Sequence, residues 1–281
     1  MTLKRRLASL YYILAGRRPW SRGYVAYKER FIADALGDSG LLERFARGEH
    51  LPPRYGEFLD ERVIEYPWLV SRLDGSRSRL LDAGSSLNHE FLLSNPRLAG
   101  KKIAIVTLAP EPRCFWRSGV SYMFEDLRAL PLASESFDEV VSISTIEHVG
   151  MNNTIYTNDP AHGEKRPGDA LKAMAELRRV LRPGGKLYLT VPFGKPMDGG
   201  WFRQFDAPAL EELVAAFQPA RSTFTFFRYA GGWDVSSREE CGDAVGFDIH
   251  ATRFMNPRST QGYDADFAAA SRAIAAGELW K

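Results

Sequence analysis

The sequence predicts an α/β fold: a doubly wound, mostly parallel sheet with helices on both faces and a helical N-terminal extension. Three observations carry this. From residue 79 onward, short apolar, β-branched runs alternate with helical segments, the signature of parallel strands joined by crossovers. Those runs are almost continuously apolar, as strands covered on both faces are. The first 75 residues show only helical spacing.

Leu3, Leu7, Leu10, Tyr11 and Leu14 recur at helical spacing and share one face. Residues 24–48 alternate apolar and charged positions (Phe31, Ala35, Leu42, Phe45), with a break at Gly37–Gly40. His50 to Tyr55 holds Pro52 and Pro53 and reads as a connector. Residues 57–73 predict a helix bent or ended near Pro67. Residues 79–83, 102–108, 120–124, 139–144 and 186–193 predict five strands. Asp169 to Leu181 predicts a helix with Leu171, Met174, Leu177, Val180 and Leu181 as its buried stripe, ended by Pro183-Gly184-Gly185. Residues 207–217 read as a further helix and 222–229 as a sixth strand, while 231–256 is irregular. The layout expected is a helical cap over 1–75 and an α/β domain over 76–281, with a polar lid loop at 151–168.

Composition narrows the classes. The 281 residues, 44% hydrophobic and 26% charged, suffice for a sizeable core and exclude a mostly disordered chain. No apolar stretch reaches the roughly 18–20 residues of a membrane span. Two cysteines are too few for a disulfide scaffold, and no Cys/His spacing suggests zinc. The net charge of +2 is unevenly spread: residues 1–30 hold eight basic side chains and one acidic, Glu29, leaving −5 on the rest. A cleavable leader shares the basic start and short apolar run, but Arg17-Arg18-Pro19 is a poor cleavage context. Peripheral contact of residues 1–20 with an anionic membrane surface and a helix packed on its own domain both fit. An acidic body without recurring aromatic-basic interleaving disfavours nucleic acid. Oligomeric state is not readable.

Arg79-Leu-Leu-Asp82-Ala-Gly84-Ser85-Ser86-Leu87-Asn88 reads as a strand entering a tight turn of small residues, where a ligand can approach the backbone. A plain strand-to-helix turn reads the same way. It is not the dinucleotide fingerprint, because Ser86 and Asn88 replace further glycines. Then follow Glu125-Asp126-Leu127-Arg128-Ala129-Leu130-Pro131, Ser136-Phe137-Asp138 and Leu181-Arg182-Pro183-Gly184-Gly185. Together these resemble class I S-adenosylmethionine-dependent methyltransferases, most closely the type 11 branch, a Rossmann-like fold. Gly23-Tyr24 through Tyr27-Lys28, Asp60-Glu61-Arg62 and Glu147 to Tyr156 are similar to bacterial methyltransferase-like proteins associated with polysaccharide biosynthesis.

The resemblance implies S-adenosylmethionine as cofactor. Gly84 and Ser86 would let its methionine part lie on the backbone, with Asp82 near the ammonium. Asp126 would accept from the adenine amine, Leu127 would pack on the ring, and Ser144 would floor the sulfonium. Related enzymes usually end strand two with an acid holding the ribose. Here Thr107 stands there, so Thr107 makes a weaker contact, Glu111 folds back, or affinity is low.

Methyl transfer needs alignment and, for a hydroxyl acceptor, a base. His148 is the base candidate, since its ordinary pKa lies near neutrality, and Glu147 would orient it. A turn-capping or wall role fits His148 too. Glu147-His148 resembles half of a metal-binding motif whose further acid is here Ser144, so a magnesium site would be incomplete; no metal ligand is assigned, and metal dependence is not readable. In the lid, Asn152, Asn153, Tyr156 and His162 can bind a polyhydroxylated acceptor, although a surface insert is the plainer reading. Trp201-Phe202-Arg203-Gln204 reads as a second wall or as packing. The reading is a cytoplasmic methyltransferase acting on a sugar or glycan hydroxyl; its alternative is a degenerate cofactor-binding scaffold in a biosynthetic complex. An oxidoreductase is disfavoured by the missing glycines.

Overall fold

The computed structural model describes residues 3–252, 255–256 and 258–281. The chain divides into two compact units. One runs up to Arg72 and takes in Phe226–Ile274; the other is Leu73–Thr225 with Ala275–Lys281. In chain order the strands are β1 (Arg79–Ala83), β2 (Lys102–Thr107), β3 (Ser121–Phe124), β4 (Phe137–Ile143), β5 (Leu181–Pro192), β6 (Met197–Asp198), β7 (Arg203–Gln204), β8 (Arg221–Tyr229), β9 (Trp233–Ser236) and β10 (Ala273–Trp280).

The second unit holds the sheet β3-β2-β1-β4-β5-β10-β8. β1 is parallel to β2 and β4, β2 to β3, and β4 to β5. β10 runs the other way. Gly184 N donates to Lys281 O and Ala220 N to Trp280 O, both at 2.8 Å, so the end of β10 lies at the starts of β5 and β8. The architecture is therefore the mostly parallel Rossmann-like sheet expected. Parallel strands bring their carboxyl ends to one edge, and the order reverses at β1, with β2 on one side and β4 on the other. That reversal opens a crevice at the carboxyl ends, the ligand position of doubly wound sheets.

The helix Ala170–Val180 packs on β5 and buries Ala170, Ala173, Met174, Leu177 and Val180. Leu171 is only half-buried and Leu181 already belongs to β5. β5 starts there, ahead of Lys186, because Leu181 pairs with Phe137 before the register shifts at Pro183-Gly184-Gly185, a bulge within the strand. Helix Ala207–Phe217 falls where its pattern placed it. β10 was not foreseen. β9 and the short helix Arg238–Cys241 lie in the stretch read as irregular.

In the first unit Leu3–Leu14, Tyr24–Gly37, Ser39–Arg47 and Arg62–Arg72 are helices. Asp38 separates the middle two, its side chain accepting from Leu41 N at 3.0 Å as an N-cap. Buried Asp60 accepts from Tyr24 Oη at 2.9 Å and pairs with Lys28, so three residues of the second resemblance meet in one knot. Arg62–Arg72 continues through Pro67, where a bend or end was expected. Proline leaves the Val63 carbonyl without its helical donor, and Tyr55 Oη donates to that carbonyl at 2.8 Å instead. Phe226–Tyr229 of β8 pairs antiparallel with β9. The leucine stripe of Leu3–Leu14 faces outward, while Ser9 and Tyr12 are buried.

Candidate active site

Asp82 sits at the centre of the sheet, level with Ile105 and Val141, and is fully buried. Its Oδ1 accepts from Ser86 N at 3.2 Å and Ser86 Oγ at 3.0 Å, and its Oδ2 from Leu87 N at 2.8 Å. Asp82 therefore shapes the turn that follows β1. Burial pushes its carboxyl up to about 7, against the pull of the Leu87 and Ser86 bonds. Gly84 lies at φ +118°, and a Cβ there would stand 2.1 Å from Thr145 Oγ1. Only glycine lets the β1 and β4 turns approach so closely. Ser85 and Ser144 are held at positive φ (63° and 40°) on these two turns, a strain that clusters at ligand sites. Ser85 Oγ is buried with no hydrogen-bond partner among the described residues.

Thr107 ends β2, and its carbonyl accepts from Glu125 N at 3.1 Å. Glu111 does fold back: its Oε2 accepts from Asn88 Nδ2 at 3.0 Å, while Tyr122 Oη donates to Asn88 Oδ1 at 2.8 Å. The Glu111 carboxylate is thus held against the β1 turn.

Leu127 is buried. Asp126 is gripped by Arg128, whose Nε lies 3.0 and 2.9 Å from its two oxygens. Half-burial acts to raise the Asp126 pKa, but the Arg128 bonds outweigh it and hold the carboxyl below the ordinary aspartate value. The same guanidinium donates to Glu164 Oε2 and Asp169 Oδ2, each at 2.7 Å. Sequence reasoning missed this network. Its one signal was the cluster of charges from Glu164 to Asp169 in a loop whose other charged residue is Asp159.

The β4 turn continues as a short helical turn, Ile146–His148. Glu147 is buried, and its Oε1 lies 4.0 Å from His148 Nε2. His148 Nδ1 lies 2.8 Å from the Trp201 carbonyl, which only accepts, so Nδ1 carries the proton. The Trp201 ring stacks on His148 at 5.1 Å, and Tyr156 stands edge-on to His148 at 5.5 Å. Trp201 thus both walls and orients.

The 151–168 loop is structured. Gly150 O accepts from Arg166 N at 2.6 Å, and a Cβ on Gly150 (φ +77°) would meet Arg166 O at 2.0 Å. Asn153 Nδ2 donates to His148 O at 2.8 Å, so Asn153 braces the His148 turn. Asn152 Oδ1 accepts from Thr154 N at 3.1 Å, leaving its amide group to donate. Tyr156 is exposed, and His162 Nδ1 is buried without a hydrogen-bond partner among the described residues. No group of three or more His, Cys, Asp or Glu able to hold a metal occurs among those residues.

No curated protein matches the chain significantly. Solved structures similar to it include the YcgJ protein of Bacillus subtilis, at 15% identity and TM-score 0.45, covering 77% of this chain and 98% of that one. Another is the Burkholderia thailandensis 1,6-didemethyltoxoflavin-N1-methyltransferase, bound to its substrate and S-adenosylhomocysteine. It is 16% identical with TM-score 0.42, covering 92% of this chain and 89% of that one. Residues 84–189, from the β1 turn into β5, match the family described as Methyltransferase domain, and S-adenosylmethionine is the cofactor that this match indicates.

Proposed function

We propose that the chain is an S-adenosylmethionine-dependent methyltransferase acting on a hydroxyl of a sugar or glycan intermediate, with His148 as the base. One observation carries the reading: the Nδ1–H bond to the Trp201 carbonyl makes Nε2 the basic nitrogen. The imidazolium formed on proton uptake would face the Glu147 carboxylate at 4.0 Å. Stacking on Trp201 restricts the ring's rotation.

The site residues suit the cofactor. The buried, unpartnered Ser85 hydroxyl and the oxygen-rich β1 turn fit a cationic amino acid, with Gly84 and Ser86 leaving the backbone open. Asp82 would act mainly by holding that turn. Glu111 and Thr107 are the groups for the ribose, Asp126 and Leu127 for the adenine, and Ser144 for the sulfonium side. When bound, the cofactor supplies an electrophilic methyl. The chain aligns the acceptor and removes its proton. Tyr156 offers an apolar ring face for a sugar, and Asn152 and His162 offer polar groups beside it. A cytoplasmic setting accords with two free thiols, one of them exposed.

A second reading has its own observation. Arg128 occupies both Asp126 oxygens, and Thr107 lacks a carboxylate, as in a scaffold that has lost the cofactor. Calorimetric titration with S-adenosylmethionine separates the two. The enzyme reading expects saturable heat; none up to about millimolar cofactor, roughly −4 kcal/mol of binding, would favour the scaffold. The His148→Gln variant should bind cofactor normally and lose about 100-fold or more in methyl transfer to a panel of nucleotide sugars and glycans. Full turnover in that variant would remove His148 from the base role.

A further inference from the structure

The Leu3–Leu14 helix turns its apolar side away from its own unit. Ser9 and Tyr12 are buried, and the Ala8 carbonyl lies so close to Gly23 that a Cβ there would come within 2.1 Å. On the opposite side Leu3, Leu7, Leu10 and Leu14 are 74%, 59%, 52% and 79% exposed. At about 100° per residue these four form one stripe, and Lys4 and Arg6 stand at its two margins. Monomeric surfaces seldom leave a contiguous apolar stripe to water, so this one has an occupant.

The charges choose the occupant. Lys4, Arg5, Arg6, Arg18 and Arg22 are all exposed, and residues 1–28 contain no Asp or Glu. Glu29, the first acid, is paired with Arg5 at 2.6 Å. A second copy on this face would bring like charges together. An anionic surface would satisfy both the charges and the leucines. No helix among the described residues is long and apolar enough to cross a membrane, so the contact would lie in the surface plane. Exposed Tyr11 supplies an amphipathic ring of the kind that favours the headgroup level.

We propose that the outward face of Leu3–Leu14 docks on an anionic phospholipid surface. The leucines enter the acyl boundary, and Lys4 and Arg6 reach back to the headgroups. This does not depend on the methyl-transfer reading.

The test is co-sedimentation of the full chain with phosphatidylcholine vesicles, with and without phosphatidylglycerol. Binding should require phosphatidylglycerol and weaken with salt. The double variant Leu7→Gln/Leu14→Gln should lower the partition by about tenfold or more, since it removes two buried anchors. Circular dichroism and cofactor calorimetry should be unchanged in that variant, which keeps a failure here distinct from a failure of the enzyme reading. Recovery in the supernatant with both vesicle types would overturn the proposal, as would undiminished binding of the double variant. A concentration-dependent dimer that the double variant dissociates, without vesicle binding, would assign the face to a second copy instead.

Discussion

At the residue scale, Asp82 shows how one carboxylate builds a binding turn. It accepts three hydrogen bonds from the two residues that shape the loop. Its place in the middle of the sheet costs it solvation, and burial pushes its pKa up to about 7. The folded state therefore holds the Asp82 proton more tightly than the unfolded chain does. This contribution to stability is complete below the ordinary value of 3.8 and is lost as pH rises through about 7. Urea unfolding across that window should show the wild type losing stability relative to the Asp82→Asn variant as pH climbs. A constant difference would mean that Asp82 stays ionised throughout.

At the element scale, the 151–168 loop is tied down by one guanidinium. Arg128 joins Asp126, Glu164 and Asp169, which are 18% exposed for the arginine itself and less than half exposed for each partner. Arg128→Gln should free this loop, and trypsin cleavage after Lys165 should speed up about tenfold, the factor for ~1.4 kcal/mol; the Arg166–Pro167 bond is resistant. Unchanged cleavage would show that Gly150 and the loop's own backbone bonds hold it alone. The Arg62–Arg72 helix is mended in a different way. Tyr55→Phe removes the donor to the Val63 carbonyl and should cost about 1–3 kcal/mol in chemical unfolding. In a Pro67→Ala background the cost should largely vanish, because alanine's own N–H then reaches Val63.

At the scale of the whole molecule, β1, β2 and the apolar stretches of β4 and β5 were legible as short runs rich in leucine or β-branched residues. β1 and the Ala207–Phe217 helix coincide with their patterns. β10 was illegible because Ala273, Ala275, Ala276 and Gly277 have weak strand preference. They fit there because they are fully buried, and a Cβ on Gly277 would lie 2.4 Å from the Phe224 ring. Periodicity found the stripe of Leu3–Leu14 but carries no information about what a stripe faces. The tight β1 turn was readable from its local motif. The Arg128 network and the Glu111–Asn88 bond were not, since they join residues far apart in sequence through chemistry that leaves no spacing. Removing residues 273–281 should abolish cooperative unfolding of the sheet and expose dye-binding apolar surface; a truncated chain whose sheet still unfolds cooperatively would refute that role for β10.

The insertion of β10 between β5 and β8 also orders events during synthesis. The ribosome delivers β5 and β8 before the strand that separates them in the finished sheet. Until it emerges, both present unpaired backbone edges, so the nascent chain is most exposed to wrong pairing in the interval between β8 and β10.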